Sequence, residues 1–197
     1  MRFFFVITSI VLTTGLTLGQ TKKQLKKYYN PTKRQQEKEA KNHNCVSTSK
    51  YSTEQLRKFY PFDIAKSVSI ISFENDTSFT NTLPIVKGEV DYSQIKETKI
   101  LNKEQIDSLA SIFYNVTYSG EIMYLEGTGC YNPRNAVLFL DSNNHLVEFI
   151  ELCFECYEQR FSSDRINIGD LCDQKSNMIK EFFFRMGIRV GTAKRTD

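Results

Sequence analysis

The cysteines in the last third of the chain place the strictest limits on its fold. Four of the five cysteines lie there: Cys130, Cys153, Cys156 and Cys172. In an oxidising compartment such a group is typical of disulfides that brace a domain. The same four thiolates could instead bind one metal ion, with zinc as the candidate, although zinc ribbons usually bring two Cys-x-x-Cys pairs and this chain has one. The sequence therefore predicts a disulfide or metal cluster at these positions and favours disulfides.

The N-terminus indicates that the chain is exported. Met1 and Arg2 precede an apolar run of 16 residues from Phe3 to Leu18. One positive charge, an apolar stretch and small residues at its end are typical of a secretory signal peptide. The run is shorter than the ~20 residues that a spanning helix needs. We expect a signal peptide at 1–19 and a secreted or periplasmic mature chain without a transmembrane segment.

The next segment is strongly basic. Residues 21–44 carry eight Lys or Arg against two Glu, a charge of +6, whereas residues 45–197 carry −4. A charged segment with few apolar residues does not bury enough surface to offset the cost of ordering. We predict a flexible basic arm at 20–44, a globular domain at 45–190 and a disordered tail at 191–197. Residues 22–41 could weakly contact an anionic surface, and the acidic domain argues against nucleic-acid binding.

A β-hairpin is the clearest local structure in the sequence. The run Ala136–Leu140 is wholly apolar, residues 141–145 are Asp-Ser-Asn-Asn-His, and Leu146–Phe154 supplies a return strand. Because the first strand has no polar alternation, we expect it to be central in its sheet and covered on both faces.

The hairpin brings two cysteines together. If Leu140 faces Leu146, then Cys130 lies opposite Cys156. Directly opposed residues have Cα atoms about 4.5 Å apart, which is close enough for a disulfide. The sequence therefore predicts a bond between Cys130 and Cys156.

The remaining cysteines are harder to assign. Cys153 and Cys156 would stand about 10 Å apart along one strand, too far to bond each other. We therefore predict Cys153–Cys172 as the second pair. Cys45, beside the arm, is then left over. It could be free, pair between chains or take the place of Cys172.

Other segments indicate further strands and helices. Strands are predicted at Ser67–Phe73, Ile85–Val90, Lys96–Leu101 and Glu121–Leu125. Capping boxes at Ser52 and Asn102 begin two helices, and the second carries an apolar stripe at helical spacing. A last helix over Asp173–Met186 ends at Gly187. The predicted fold class is α+β, an antiparallel sheet with a central β-hairpin and helices packed on one face.

Several polar residues near the hairpin are candidates for ligand contact. Arg134 follows Tyr131 and lies near Glu151, so it could clamp an anionic ligand or pair with a glutamate. His43 and His145 are the only histidines, one in the arm and one in a turn, and neither position suits a catalytic base. The glutamates of the return strand leave glycoside hydrolysis as a weaker hypothesis. No catalytic residue is assigned. Tyr131, Arg134 and Glu151 are the predicted ligand contacts.

The cysteine hairpin resembles a group of exported bacterial proteins of unknown function. The motif is Cys130-Tyr131-x-Pro133-Arg134, followed by an apolar strand, then Cys153-Phe154-x-Cys156 and a closing Phe-rich helix. The resemblance covers about residues 100–188 and implies an exported, bacterial-envelope setting without an activity. The sequence favours a non-enzymatic binding or structural module, stapled by disulfides, with a protein or envelope partner. The alternative is a metal- or thiol-dependent protein that uses the four cysteines. No cofactor is predicted except zinc in that alternative.

Overall fold

The computed structural model describes residues 31–74, 82–122 and 130–193. The expected signal peptide and most of the strand expected at Glu121–Leu125 lie outside these ranges. The helices in them are α1 Lys33–Asn42, α2 Thr53–Leu56, α3 Lys103–Asn115 and α4 Lys175–Arg185. The strands are β1 Cys45–Ser47, β2 Ser67–Phe73, β3 Ile85–Val86, β4 Glu89–Val90, β5 Ile95–Ile100, β6 Val116–Tyr118, β7 Asn135–Leu140, β8 Leu146–Cys153 and β9 Glu158–Phe161.

Five strands form one antiparallel sheet in the order β5-β2-β7-β8-β9. The central strand is β7, and all six of its residues are buried. Val137 and Phe139 face a core that contains the buried side chains of α3 and α4. Ala136 and Leu138 face a second core, which Leu83 and the β3–β4 ribbon help to cover. The predicted α+β class and a central strand covered on both faces are confirmed.

The β7–β8 hairpin has the predicted starting register and then shifts by one residue. Leu140 pairs with Leu146, but beyond a bulge Phe139 pairs with Glu148 and Ala136 with Glu151. Because side chains alternate between the faces of a strand, the shift decides which face each polar residue occupies. Glu151 therefore shares the face of Ala136, opposite the helices.

Capping boxes begin three of the helices. The two predicted ones are present, Ser52 with Gln55 before α2 and Asn102 with Gln105 before α3. A third reciprocal pair begins α1, where Gln35 Oε1 accepts from the Thr32 amide and the Gln35 amide donates to Thr32 Oγ1. The helix lies within the segment 20–44, whose expected flexibility stays a prediction. The residues of α1 are strong helix formers, and the cap satisfies its first amides.

The chain just beyond α4 makes several polar contacts. Thr192 is buried, and its hydroxyl donates to the carbonyl of Ile188 at 2.6 Å. The Asn135 side chain donates to the carbonyl of Val190 at 3.0 Å, and Gly191 packs against Asn135 with a φ of +77°. Residues 190–192 therefore make polar or packing contacts, and the disordered tail expected at 191–197 stays a prediction.

Two disulfides are present. Cys130 bonds Cys156 with Cα atoms 5.6 Å apart, as the hairpin register predicts. The predicted pair Cys153–Cys172 is wrong, because Cys172 bonds Cys45 with Cα atoms 5.1 Å apart. Cys153 is a buried free thiol, whose sulfur accepts from the Asn132 amide at 3.4 Å. The short β1–β6 ladder places Cys45 opposite Tyr118, close to the loop that carries Cys172.

Candidate ligand-binding groove

A groove of about 670 Å³ lies at the edge of the helical layer. Three parts of the chain line it: residues 48–60, the end of α3 with β6, and the loop at 165–170. Its aromatic lining consists of Tyr51, Phe59, Tyr60 and Tyr114, and its charged lining of Lys50, Arg165 and Asp170. A volume of this size, with apolar walls and a few polar groups, is typical of small-molecule sites.

Three rings form one wall of the groove. Phe59 packs edge-to-face with Tyr51 at 4.8 Å between centroids and with Tyr114 at 4.7 Å. Edge-to-face contacts of this kind stabilise the orientation of each ring. The Tyr114 hydroxyl donates to the carbonyl of Tyr60 at 3.1 Å. Burial, and to a smaller extent the charge of Asp63, raises the pKa of Tyr114, so that hydroxyl remains a donor.

Two cations cover ring faces in the groove. The Arg165 guanidinium lies 3.9 Å from the centroid of the Tyr60 ring, and Lys50 Nζ lies 4.9 Å from that of Tyr51. Both distances are within the range of a favourable cation–π contact. Asp170, the carboxylate among the described residues of the lining, accepts a hydrogen bond from the Thr117 hydroxyl. Those described residues therefore carry two positive charges against one negative charge.

Tyr60 is fixed from below by a buried carboxylate. Its hydroxyl donates to Glu148, which also accepts from the hydroxyls of Ser162 and Ser163. Burial acts to raise the pKa of Glu148, but these hydroxyl donors outweigh it and hold the pKa below its usual value. Burial, and to a smaller extent the hydrogen bond to Glu148, raises the pKa of Tyr60. Glu148 thus orients the ring on which Arg165 rests.

The side chain of Asn115 holds the segment that carries Lys50 and Tyr51. Its Oδ1 accepts from the Tyr51 amide at 2.9 Å, and its Nδ2 donates to the Tyr51 carbonyl at 3.0 Å. The Asn115 carbonyl accepts from the Thr48 amide at 2.6 Å. Because Asn115 is buried at the end of α3, these bonds fix the segment against the helix. A wall held in this way needs little ordering when a ligand binds.

A buried lysine holds the opposite wall. Lys175 is 1% exposed, and its ammonium donates to the carbonyls of Phe113 at 2.7 Å and Ile168 at 3.1 Å. Burial lowers the pKa of Lys175 to about 8, while the charge of Asp170 acts in the opposite direction. Gly169 has a φ of +69°, and a Cβ there would stand 2.8 Å from the Phe113 carbonyl oxygen. The loop and α3 therefore approach as closely as a glycine permits.

The disulfide Cys45–Cys172 joins the same two walls. Cys45 precedes the groove residue Thr48 by three positions, and Cys172 follows Asp170 by two. The Cys45 amide also donates to the Gln174 side chain at 2.7 Å, just before α4. Covalent and hydrogen-bonded contacts therefore fix the spacing of the walls at this end.

The predicted ligand contacts lie elsewhere and only in part together. The Tyr131 hydroxyl donates to Glu151 at 2.6 Å, and Glu151 is fully buried on the face opposite the helices. Glu151 also accepts from the Leu83 amide and pairs with Arg160 at 2.7 Å. Burial and the bond to Glu151 raise the pKa of Tyr131. The cluster is a set of donors around one buried carboxylate.

Arg134, the third predicted contact, pairs with Glu155 rather than Glu151. These three residues are outside the lining of the groove. Their assignment to ligand contact stays a prediction. Arg160, the partner of Glu151, was not predicted from the sequence. It lies on β9, which pairs with β8 outside the β7–β8 hairpin.

The groove residues were missed because they come from distant parts of the chain. The signal available was a dense aromatic segment, Tyr51 to Tyr60 with Phe59, around the short helix that Ser52 begins. Tyr114 lies in α3 next to the buried Phe113, and its position is equally typical of a core residue. The β1–β6 ladder joins the segment just before Thr48 to the segment just after Tyr114. Strands of three residues are too short to show a periodic pattern in the sequence.

The described ranges hold no group of three or more His, Cys, Asp or Glu side chains placed to bind a metal ion. In this disulfide-bonded state Cys130, Cys156 and Cys172 are not available as thiolates. The two histidines lie outside the groove, His43 between Glu39 and Asp173 and His145 beside Asp141.

No helix within the described part of the chain is both long and apolar enough to cross a bilayer. Comparisons with family models, curated proteins and solved structures give no match.

Proposed function

We propose that the chain is an exported, disulfide-stapled binding protein whose ligand site is the aromatic groove. The observation that carries this proposal is the groove itself: about 670 Å³, aromatic on one wall and held open by hydrogen bonds from both sides. The two disulfides and the N-terminal apolar run support export. Binding is favoured over catalysis because the groove offers rings and fixed charges, with neither histidine in its lining.

The pre-organisation of the groove favours binding of a small molecule. Asn115 holds one wall through two bonds to Tyr51, and Lys175 holds the other through two carbonyls. A site that is already ordered loses little conformational entropy on binding. Walls held by hydrogen bonds from buried polar side chains are typical of a binding site rather than of an accidental surface cleft.

The test is a ligand-observed NMR screen of ring compounds, neutral and charged, against the mature, oxidised protein. Phe59→Leu removes the ring that joins Tyr51 to Tyr114 and should abolish binding. Phe184→Leu is the matched control, since Phe184 is a partly exposed phenyl ring outside the groove. Thermal unfolding of both variants checks that they fold. Absence of any binder at millimolar concentration, or binding that Phe59→Leu leaves unchanged, would contradict the proposal.

An accessory contact with an anionic surface is proposed for the basic segment. Lys33, Arg34, Lys38 and Lys41 of α1 are exposed. Near a charged surface each contributes about 1 kcal/mol at most, and salt weakens the attraction. Sedimentation with vesicles that contain anionic lipid, at low and at physiological salt, tests this role. Equal sedimentation with neutral vesicles would contradict it.

A further inference from the structure

We infer that the groove binds a small ring compound that carries a carboxylate or a similar anionic group. The inference rests on the proposed function and specifies its ligand class. It starts from the charges of the lining, where Lys50 and Arg165 face one carboxylate, Asp170. Each of the two cations lies over the ring of a groove tyrosine. Rings and cations therefore alternate on the same surface.

Arg165 is suited to bind an anion without leaving its position. A guanidinium that stacks on a ring by its flat face still presents its N–H groups along its edge, and two of them match a carboxylate. Tyr60, the ring below it, is held by Glu148, so the plane of the guanidinium has a fixed support. The geometry favours a planar anion in the plane of that guanidinium.

Several of the other polar groups that line the groove already form hydrogen bonds within the protein. The hydroxyls of Tyr60 and Tyr114 donate to Glu148 and to the Tyr60 carbonyl. Asp170 accepts from Thr117. The strongest donors that the groove offers a ligand are consequently Arg165 and Lys50, which makes an anion the complementary group.

The body of the ligand is indicated by the aromatic wall. Phe59, Tyr51 and Tyr114 meet edge to face, which leaves a continuous apolar surface beside the two cations. A ring system next to a carboxylate would cover that surface while its charge meets Arg165. The volume of about 670 Å³ accommodates a bicyclic compound with space for water.

The experiment compares 1-naphthoate with its neutral analogue 1-naphthamide by calorimetric titration at low salt. We expect the acid to bind about tenfold more tightly than the amide, because only the acid forms charge-assisted hydrogen bonds. Arg165→Gln should reduce the preference for the acid to about twofold. Lys50→Gln should reduce the same preference to about threefold. A higher salt concentration should weaken the binding of the acid and leave the affinity of the amide unchanged.

Two variants outside the groove serve as matched controls. Arg189 stacks on Phe184 at 4.0 Å, which reproduces the Arg165–Tyr60 contact elsewhere on the surface. Lys58 is an exposed lysine that pairs with Glu54. Arg189→Gln and Lys58→Gln should leave both affinities within about twofold of those of the unchanged protein. Arg165→Lys, which retains the charge without the planar fork, should lose most of the preference.

The outcomes separate the inference from the proposed function. Equal affinities of acid and amide, both lost in Phe59→Leu, would overturn the anionic ligand and leave the binding site intact. A preference for the acid that survives Arg165→Gln and Lys50→Gln would also overturn the inference. Failure of both compounds, and of every ring compound in the screen, would overturn the proposed function itself.

Discussion

Cys45 and Cys172 are bonded across 127 positions of sequence, and this bond joins the two walls of the groove. One wall begins at Thr48, just after Cys45, and the other ends at Asp170, just before Cys172. The second bond, Cys130–Cys156, spans 26 positions at the base of the hairpin and lies apart from the groove. The two disulfides therefore have different roles, the first in the site and the second in the sheet.

Removal of the first disulfide should weaken both folding and binding. A Cys45→Ser/Cys172→Ser double variant opens a loop of 127 positions, whose closure contributes about 1.4 kcal/mol more in the chain-entropy model than that of the 26-position loop. We expect it to lose about 2–4 kcal/mol of unfolding free energy and at least about fivefold in ring-compound affinity. Urea denaturation and calorimetry measure the two effects.

The matched control for that experiment is Cys130→Ser/Cys156→Ser. It should lower the free energy of unfolding as well, yet leave the affinity of the groove within about twofold, because its loop is shorter and remote from the site. Equal loss of affinity in the two double variants would show that Cys45–Cys172 has no particular role in the groove.

Cys153 should not react with alkylating reagents in the folded protein. Its side chain is 1% exposed, and a thiol reacts only when its thiolate meets the reagent. Iodoacetamide should add nothing under native conditions and one carbamidomethyl group in denaturant without reductant. Intact mass, measured before and after reduction, should also show the four hydrogens of two disulfides. Native labelling of Cys153, or a peptide map with Cys153 in a disulfide, would contradict the structure.

The parts of the fold that could be predicted are those that local signals determine. The capping boxes at Ser52 and Asn102 begin helices because a side chain and an amide three residues apart satisfy each other. The apolar strand Ala136–Leu140 became central because it has no polar face. The bond Cys130–Cys156 followed from the hairpin, since the two positions stay near each other despite a one-residue bulge.

The parts that could not be predicted depend on contacts between distant segments. Cys45 lies on one of two paired three-residue strands without a periodic pattern, and Cys172 lies on a loop that contacts them. Arg165 reaches Tyr60 from a loop more than a hundred residues away. The choice of Arg160 over Arg134 as partner of Glu151 requires the third strand of the sheet, β9, to be in place. Tertiary packing, rather than local propensity, assembles the groove.

Glu151 should contribute to the free energy of unfolding and not to the affinity of the groove for ring compounds. Glu151→Gln keeps one acceptor but turns an amide N–H₂ towards donors from Tyr131, Arg160 and the Leu83 amide. Because Glu151 is fully buried, we expect a loss of about 2–4 kcal/mol in unfolding free energy. Ring-compound affinity should stay within about twofold. Urea denaturation and calorimetry on the same sample provide the comparison.

Glu155→Gln is the control for this substitution. Glu155 is partly exposed and pairs with Arg134, so the change should cost under about 1 kcal/mol. A larger loss for Glu155→Gln than for Glu151→Gln, or a loss of groove binding in Glu151→Gln, would contradict a structural role for the buried carboxylate.

Lys175 should make the stability of the protein depend on pH above neutrality. Its pKa is about 8 in the folded chain and has its ordinary value of 10.5 when the chain unfolds. Between these values the unfolded state binds more protons, so the free energy of unfolding rises with pH, by at most about 3 kcal/mol from this group. Below pH 8 both states are protonated and the group adds no slope.

The measurement is urea denaturation from pH 6.5 to 10.5 of the protein and of Lys175→Met, both in a Cys153→Ala background that prevents thiol–disulfide exchange at alkaline pH. Lys175→Met leaves the carbonyls of Phe113 and Ile168 without their donor, which costs about 1–3 kcal/mol. The difference between the two proteins should be flat below pH 8 and should then widen in favour of the lysine. A difference that stays constant to pH 10.5 would show that folding leaves the pKa of Lys175 unchanged, contrary to a buried charge. A difference that already widens from pH 6.5 would instead show that the folded chain holds Lys175 as an uncharged donor at neutral pH.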